Sequence, residues 1–277
     1  RSGRHPTPNA ARCMAGGSLQ QVDRTTDTDT PAERHCDRNV TVTACVVWLH
    51  GAGETGRTWH GRLKEGVSRI RMPWVEFFFP DAPAGAGCAW VGVQLPVQPA
   101  AADAAAGLHA AAANVHAMLT DLEASRGIDA SRVVLGGCGP GAALALLAGR
   151  TFPKPLAGIA CIGGWLLRPA DATAAAASSA RPPVLLCHAE EDDEVPIQLH
   201  YAACSWLRER GHEVTSHEYA DVGGPEAAEA MTVLAAPKNF ITFALRPLPR
   251  DGAAAAAAAV LSKAEELGSA STAAAAA

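Results

Sequence analysis

Leu135-Gly136-Gly137-Cys138-Gly139-Pro140-Gly141-Ala142 is the stretch on which the reading of this chain turns. A short apolar run, residues 132–135, leads into it, and an alanine- and leucine-rich run, residues 141–148, leads out. The pattern is therefore strand, sharp turn, helix. A dinucleotide fingerprint would put its glycine turn after the first strand, with an acid about 20 residues on. Here the turn lies deep in the chain. Its spacing, Gly137-Cys138-Gly139-Pro140-Gly141, is that of a G-x-S-x-G turn, whose glycines relieve crowding around a strained nucleophile. Glycine stands at 139, where that nucleophile would be.

Outward from this turn, apolar runs and alanine-rich runs alternate. Residues 41–49 (TVTACVVWL), 74–79 (WVEFFF), 132–135, 156–162, 183–187 and 213–219 read as strands. Residues 100–125, 141–148, 198–210 and 237–244 read as helices. Strands that alternate with helices call for a mostly parallel sheet covered on both faces. Short, continuously apolar strands agree, because such strands are buried on both sides. Three segments follow: an extended polar arm over 1–39, an α/β domain over 40–248 and an alanine-rich tail over 249–277.

Composition narrows the function. Apolar residues make up 48% of the chain and charged residues 18%, enough for a sizeable core. A net charge of −5 argues against nucleic acid or an anionic membrane as a main partner. No apolar run approaches the roughly 20 residues that span a bilayer. The eight cysteines form no CxxC pair and several lie in strand-like runs, which predicts buried free thiols in a reducing compartment. The first 22 residues carry Arg1, Arg4 and Arg12 and no acid. They read equally as an organellar, for instance mitochondrial, presequence remnant and as a plain polar arm, leaving organelle and cytoplasm both open.

Several stretches carry a resemblance. They are Val47-Trp48-Leu49-His50-Gly51-Ala52-Gly53-Glu54-Thr55-Gly56, Met72-Pro73-Trp74-Val75 running to Pro80-Asp81-Ala82-Pro83, and Ala89-Trp90. Ser131 to Gly137, Gly158 to Leu166, and His188-Ala189-Glu190-Glu191-Asp192-Asp193-Glu194-Val195-Pro196 continue it. In this order and spacing they resemble the acyl-protein thioesterase/lysophospholipase/carboxylesterase group, over about residues 42–245. The resemblance implies an α/β-hydrolase fold, cleavage of long-chain acyl thioesters or esters by a Ser–Asp–His triad, and no cofactor or metal. Carried over without gaps, the serine falls on Gly139, the aspartate on Asp192 and the histidine on Gly224. The oxyanion donors would be the N–H groups of Ala52 and of Pro140, and proline has none.

Without hydroxyl or thiol no acyl-enzyme forms, and without imidazole nothing shuttles the proton. Such losses typically cost on the order of 10⁶ in rate, and an oxyanion donor roughly 10²–10³ more. The expectation is therefore a pseudoenzyme serving as an accessory subunit of a protein complex, its arms reaching protein partners. The alternatives are a non-catalytic module holding an acyl chain or lipid, and a residual thioesterase with an atypical nucleophile. Cys138 reads as packing rather than nucleophile, His217 as a structural strand residue, and His188 and His50 as fold histidines. The acids Glu190 to Glu194 read as a solvated loop.

Overall fold

In the computed structural model, residues 41–60, 72–83, 90–92, 95–98, 108–167, 180–223 and 235–247 are described. The arm over 1–39, the tail over 249–277 and Gly224 lie outside them.

Among the described residues six strands form one parallel sheet: β1 (Ala44–Leu49), β2 (Val75–Phe78), β3 (Val133–Cys138), β4 (Gly158–Ile162), β5 (Val184–Glu191) and β6 (Val214–Gly223). Their order is β2-β1-β3-β4-β5-β6. Every residue of β1, β3 and β4 is buried, as expected of strands covered on both faces. Helices α1 (Leu108–Arg126), α2 (Pro140–Thr151) and α3 (Ile197–Glu209) cover one face; α4 (Ala235–Ala244) covers the other.

Sequence periodicity explains each docking. Val115, Leu119 and Leu122 lie on one stripe of α1 and pack with Leu144 and Leu147 of α2 and Leu135 of β3. Ala203, Cys204 and Leu207 of α3 meet Ile159 and Leu186. Ile241 joins Val46, Val134 and Ile162 beneath the sheet. Each fully buried leucine contributes about 1.5–3 kcal/mol of transfer free energy. Cys45, Cys138, Cys161, Cys187 and Cys204 are buried free thiols. Burial pushes the Cys45 and Cys187 thiols up to about 12, so neither is a ready thiolate.

Successive strands step outward from β1 to β2, and then β3 returns to the other side of β1. The carboxyl ends of β1 and β3 thus flank a topological switch point, where open α/β sheets bind their ligands.

Candidate functional site

At this switch point the turn after β3 has the geometry of an elbow. Gly139 adopts φ 50° and ψ −122°, caps α2, and is followed by Pro140 at the first helical turn. Its N–H donates to Ile162 O (2.8 Å) and its carbonyl accepts from Ala143 N–H (3.0 Å), which fixes the bend. The shoulders are crowded. A Cβ on Gly137 would lie 2.7 Å from Leu49 O, and one on Gly141 would lie 2.5 Å from the same oxygen and 2.8 Å from Leu49 C. The apex is not crowded: a Cβ on Gly139 would meet nothing within 4 Å. Two glycines are demanded by the close approach of α2 to β1, and the third only by its positive φ.

The loop after β1 faces this apex. The buried His50 has both ring nitrogens occupied: Nε2 accepts from Ala82 N–H (3.1 Å), which leaves Nδ1–H to donate to Gly51 O (2.8 Å). Its ring packs on Trp90, whose indole N–H donates to His50 O. Ala52 is exposed, between the loop's Gly51 and Gly53. Glu54, which no motif singles out, clamps the loop. Its Oε2 accepts from Gly51 N–H (2.8 Å) and from the Trp59 indole N–H (2.5 Å). No spacing rule marks this, because the clamp depends on how the Gly51–Gly53 turn folds back.

Asp192 stands at the end of β5. Its Oδ1 accepts from the Glu194 and Val195 N–H groups (2.9 and 2.8 Å), and its Oδ2 lies 3.6 Å from His188 Nε2. That second oxygen is 3.4 Å from where a Cβ on Gly163 would sit, at the end of β4 beside the elbow strand. Burial, then the charges of Asp192 and Glu54, raise the Glu194 carboxyl above its ordinary range. His188 is buried, with Nε2 on Val195 O at 2.7 Å. Cys138 is buried on the face of the sheet away from α2, among Ile162 and Cys187. His217 is exposed and lies against Tyr219. Gly224, the expected site of the proton shuttle, falls just past β6 and outside the described residues.

Among the described residues no group of three or more His, Cys, Asp or Glu side chains could hold a metal ion, and no helix is long and apolar enough to cross a membrane. Sequence reasoning also missed His200 and Ser216, whose ring nitrogen and hydroxyl stand 2.8 Å apart between α3 and β6. Nothing in the sequence signals a pair joined only by tertiary packing.

The phospholipase/carboxylesterase family model matches residues 36–243. Acyl-protein thioesterase 1 of Gibberella zeae is 28% identical over 68% of this chain and 86% of its own length. A probable carboxylesterase of Oryza sativa is 28% identical over 64% and 80% respectively. In three dimensions, acyl-protein thioesterase 2 of Zea mays superposes with a TM-score of 0.55 at 24% identity, over 75% of this chain and 96% of its own.

These relatives overturn the expectation of a non-enzyme, since chains named as thioesterase and carboxylesterase match most of the domain. That expectation equated the missing side chain at Gly139 with missing chemistry. Acyl hydrolysis needs an attacking oxygen, and water can supply one, more slowly than an activated serine. One of the two positions it leaned on, Gly224, is not among the described residues. The accessory-subunit role rested on the terminal arms, which are not among them either. With its sheet order, its elbow and a family model spanning three quarters of its length, the chain belongs to the phospholipase/carboxylesterase family of α/β-hydrolases.

Proposed function

We propose that this chain hydrolyses acyl thioesters, with water rather than a side chain attacking at the elbow. The observation that carries the reading is the open apex. Gly139 keeps the elbow conformation while leaving the space over its Cα free. A water oxygen placed there attacks the acyl carbonyl carbon, and its proton passes through a second water, in the place of the missing imidazole, to Asp192 Oδ2. The oxyanion accepts from Ala52 N–H, and the intermediate collapses by breaking the carbon–sulfur bond.

The leaving group sets the substrate class. A thiol has a pKa of about 8.5, so thiolate departs without being protonated first. An alkoxide needs a proton at that moment, and position 224 carries glycine where an imidazole would deliver one. Thioesters and activated aryl esters are therefore cleaved, and alkyl esters are spared. The rate is modest. Binding and oxyanion stabilisation without a triad leave about 10³–10⁴ over water, and Pro140 removes one donor from that.

The test follows release of thiol from a long-chain acyl thioester and of alcohol from the matching alkyl ester, by wild type and by Asp192→Asn. The expected result is slow thioester turnover above buffer, at least about 10²-fold faster than the alkyl ester. Asp192→Asn lowers it about tenfold or more while thermal unfolding stays cooperative. Thioester loss at the buffer rate, or equal rates on both substrates, would overturn the reading.

A further inference from the structure

A hydroxyl and an imidazole do meet in this molecule, away from the elbow. Ser216 Oγ lies 2.8 Å from His200 Nε2. The ring is buried, reached from one side by Cys204 Sγ at 3.6 Å and packed on His188 at 5.4 Å between centroids. Glu218 Oε1 stands 3.9 Å from the same nitrogen, and the other oxygen of Glu218 accepts from Tyr201 OH (3.0 Å). Ser216 itself is half-buried on β6, the last strand of the sheet, opposite Leu186. Strands β4 and β5 separate β6 from the elbow strand, which puts the pair about 14 Å from it.

We propose that Ser216 is a second acyl-accepting centre, with His200 as its base, that takes acyl groups from activated donors such as aryl esters and thioesters. Burial, and next the neighbouring His188, lower the His200 pKa to about 4, so at neutral pH the ring is uncharged and one of its nitrogens accepts. With Nε2 unprotonated, the Ser216 hydroxyl donates to it. Oγ attacks the acyl carbonyl carbon and His200 takes the hydroxyl proton. The imidazolium is offset by Glu218, and against it stand His188 on β5 and Arg208 on α3. The tetrahedral adduct collapses to an ester at Oγ and expels phenolate or thiolate, which receives the proton back from His200. Because so acidic an imidazolium marks a weak base, the centre needs a good leaving group.

The experiment incubates the full chain with p-nitrophenyl acetate, follows p-nitrophenolate release, and maps acetylated peptides by mass. The expected result is a burst of about one equivalent, with the acetyl group on Ser216. Ser216→Ala abolishes it, His200→Gln slows it at least tenfold, and Cys204→Ala leaves the label in place. The wild-type map decides whether Ser216 is the acceptor, whatever the folding of the variants. Acetate found only on cysteine or lysine, or an undiminished rate in His200→Gln, overturns the proposal. A label on Ser216 without thioester turnover would sink only the elbow reading; turnover without the label would sink only this one.

Discussion

Two regions of one sheet are built in different ways. At the switch point between β1 and β3 the chain has a cradle: an elbow, a facing loop, glycines at both shoulders, and buried apolar strands behind. At the outer edge, between α3 and β6, it has reactive groups, Ser216 and His200, with Glu218 and Cys204 around them. The first region is built by backbone close approach, the second by side chains that touch across elements. Backbone close approach and side-chain contact are thus separable in this fold, and they fail under different stresses.

The largest effect tests the crowded cradle. Gly141→Ala puts a methyl group against Leu49 O and Leu49 C, and the third neighbour, His50 O, is also backbone. None of these can swing away, so α2 must lift from β1. Overpacking of this kind typically costs 1–3 kcal/mol and more where backbone must move. We expect at least about 3 kcal/mol in urea unfolding, or no folded protein. A loss below about 1 kcal/mol would mean that the shoulder has slack, and the contrast with the apex would go.

The next effect tests the edge. The His200 pKa is held near 4 in the fold, against 6.5 in the unfolded chain. The unfolded state therefore binds the extra proton first as pH falls, and the native state loses stability. This contribution is intact above pH 6.5 and drains away towards pH 4. It should amount to about 3 kcal/mol. Melting curves of wild type should fall more steeply over that window than those of His200→Gln. Parallel slopes would show that the edge histidine is not held neutral by its surroundings.

How much of this was legible follows from the same division. The strands were readable because each is a continuous apolar run. The apolar run predicts an elbow strand that ends at Leu135, whereas β3 continues to Cys138. Glycines are poor strand formers, but a Cβ on Gly136 would lie 2.6 Å from the Trp48 ring, so here packing demands glycine. The helix after it begins at Pro140 rather than Gly141, since proline suits a first helical turn. The elbow and Asp192 were legible as short-range patterns. The Glu54 clamp and the Ser216–His200 pair were not, because 16 residues and a change from helix to strand separate the latter. Only the fold brings them together.

The smallest effect returns to the cradle, two residues from the largest. Gly139→Ala meets no atom within 4 Å, so nothing is pushed aside. What remains is the cost of holding a Cβ-bearing residue at φ 50° and ψ −122°, outside the regions such residues favour. Strain at one residue of this kind costs about 1 kcal/mol or slightly more. The two hydrogen bonds of the apex backbone survive, because they use N–H and C=O alone. Gly139→Ala should therefore fold, lose about 1 kcal/mol in urea unfolding, and keep the α2 contacts that Gly141→Ala destroys. If the two variants were equally destabilised, the space over the apex would not be open, and a water could not approach the carbonyl from there.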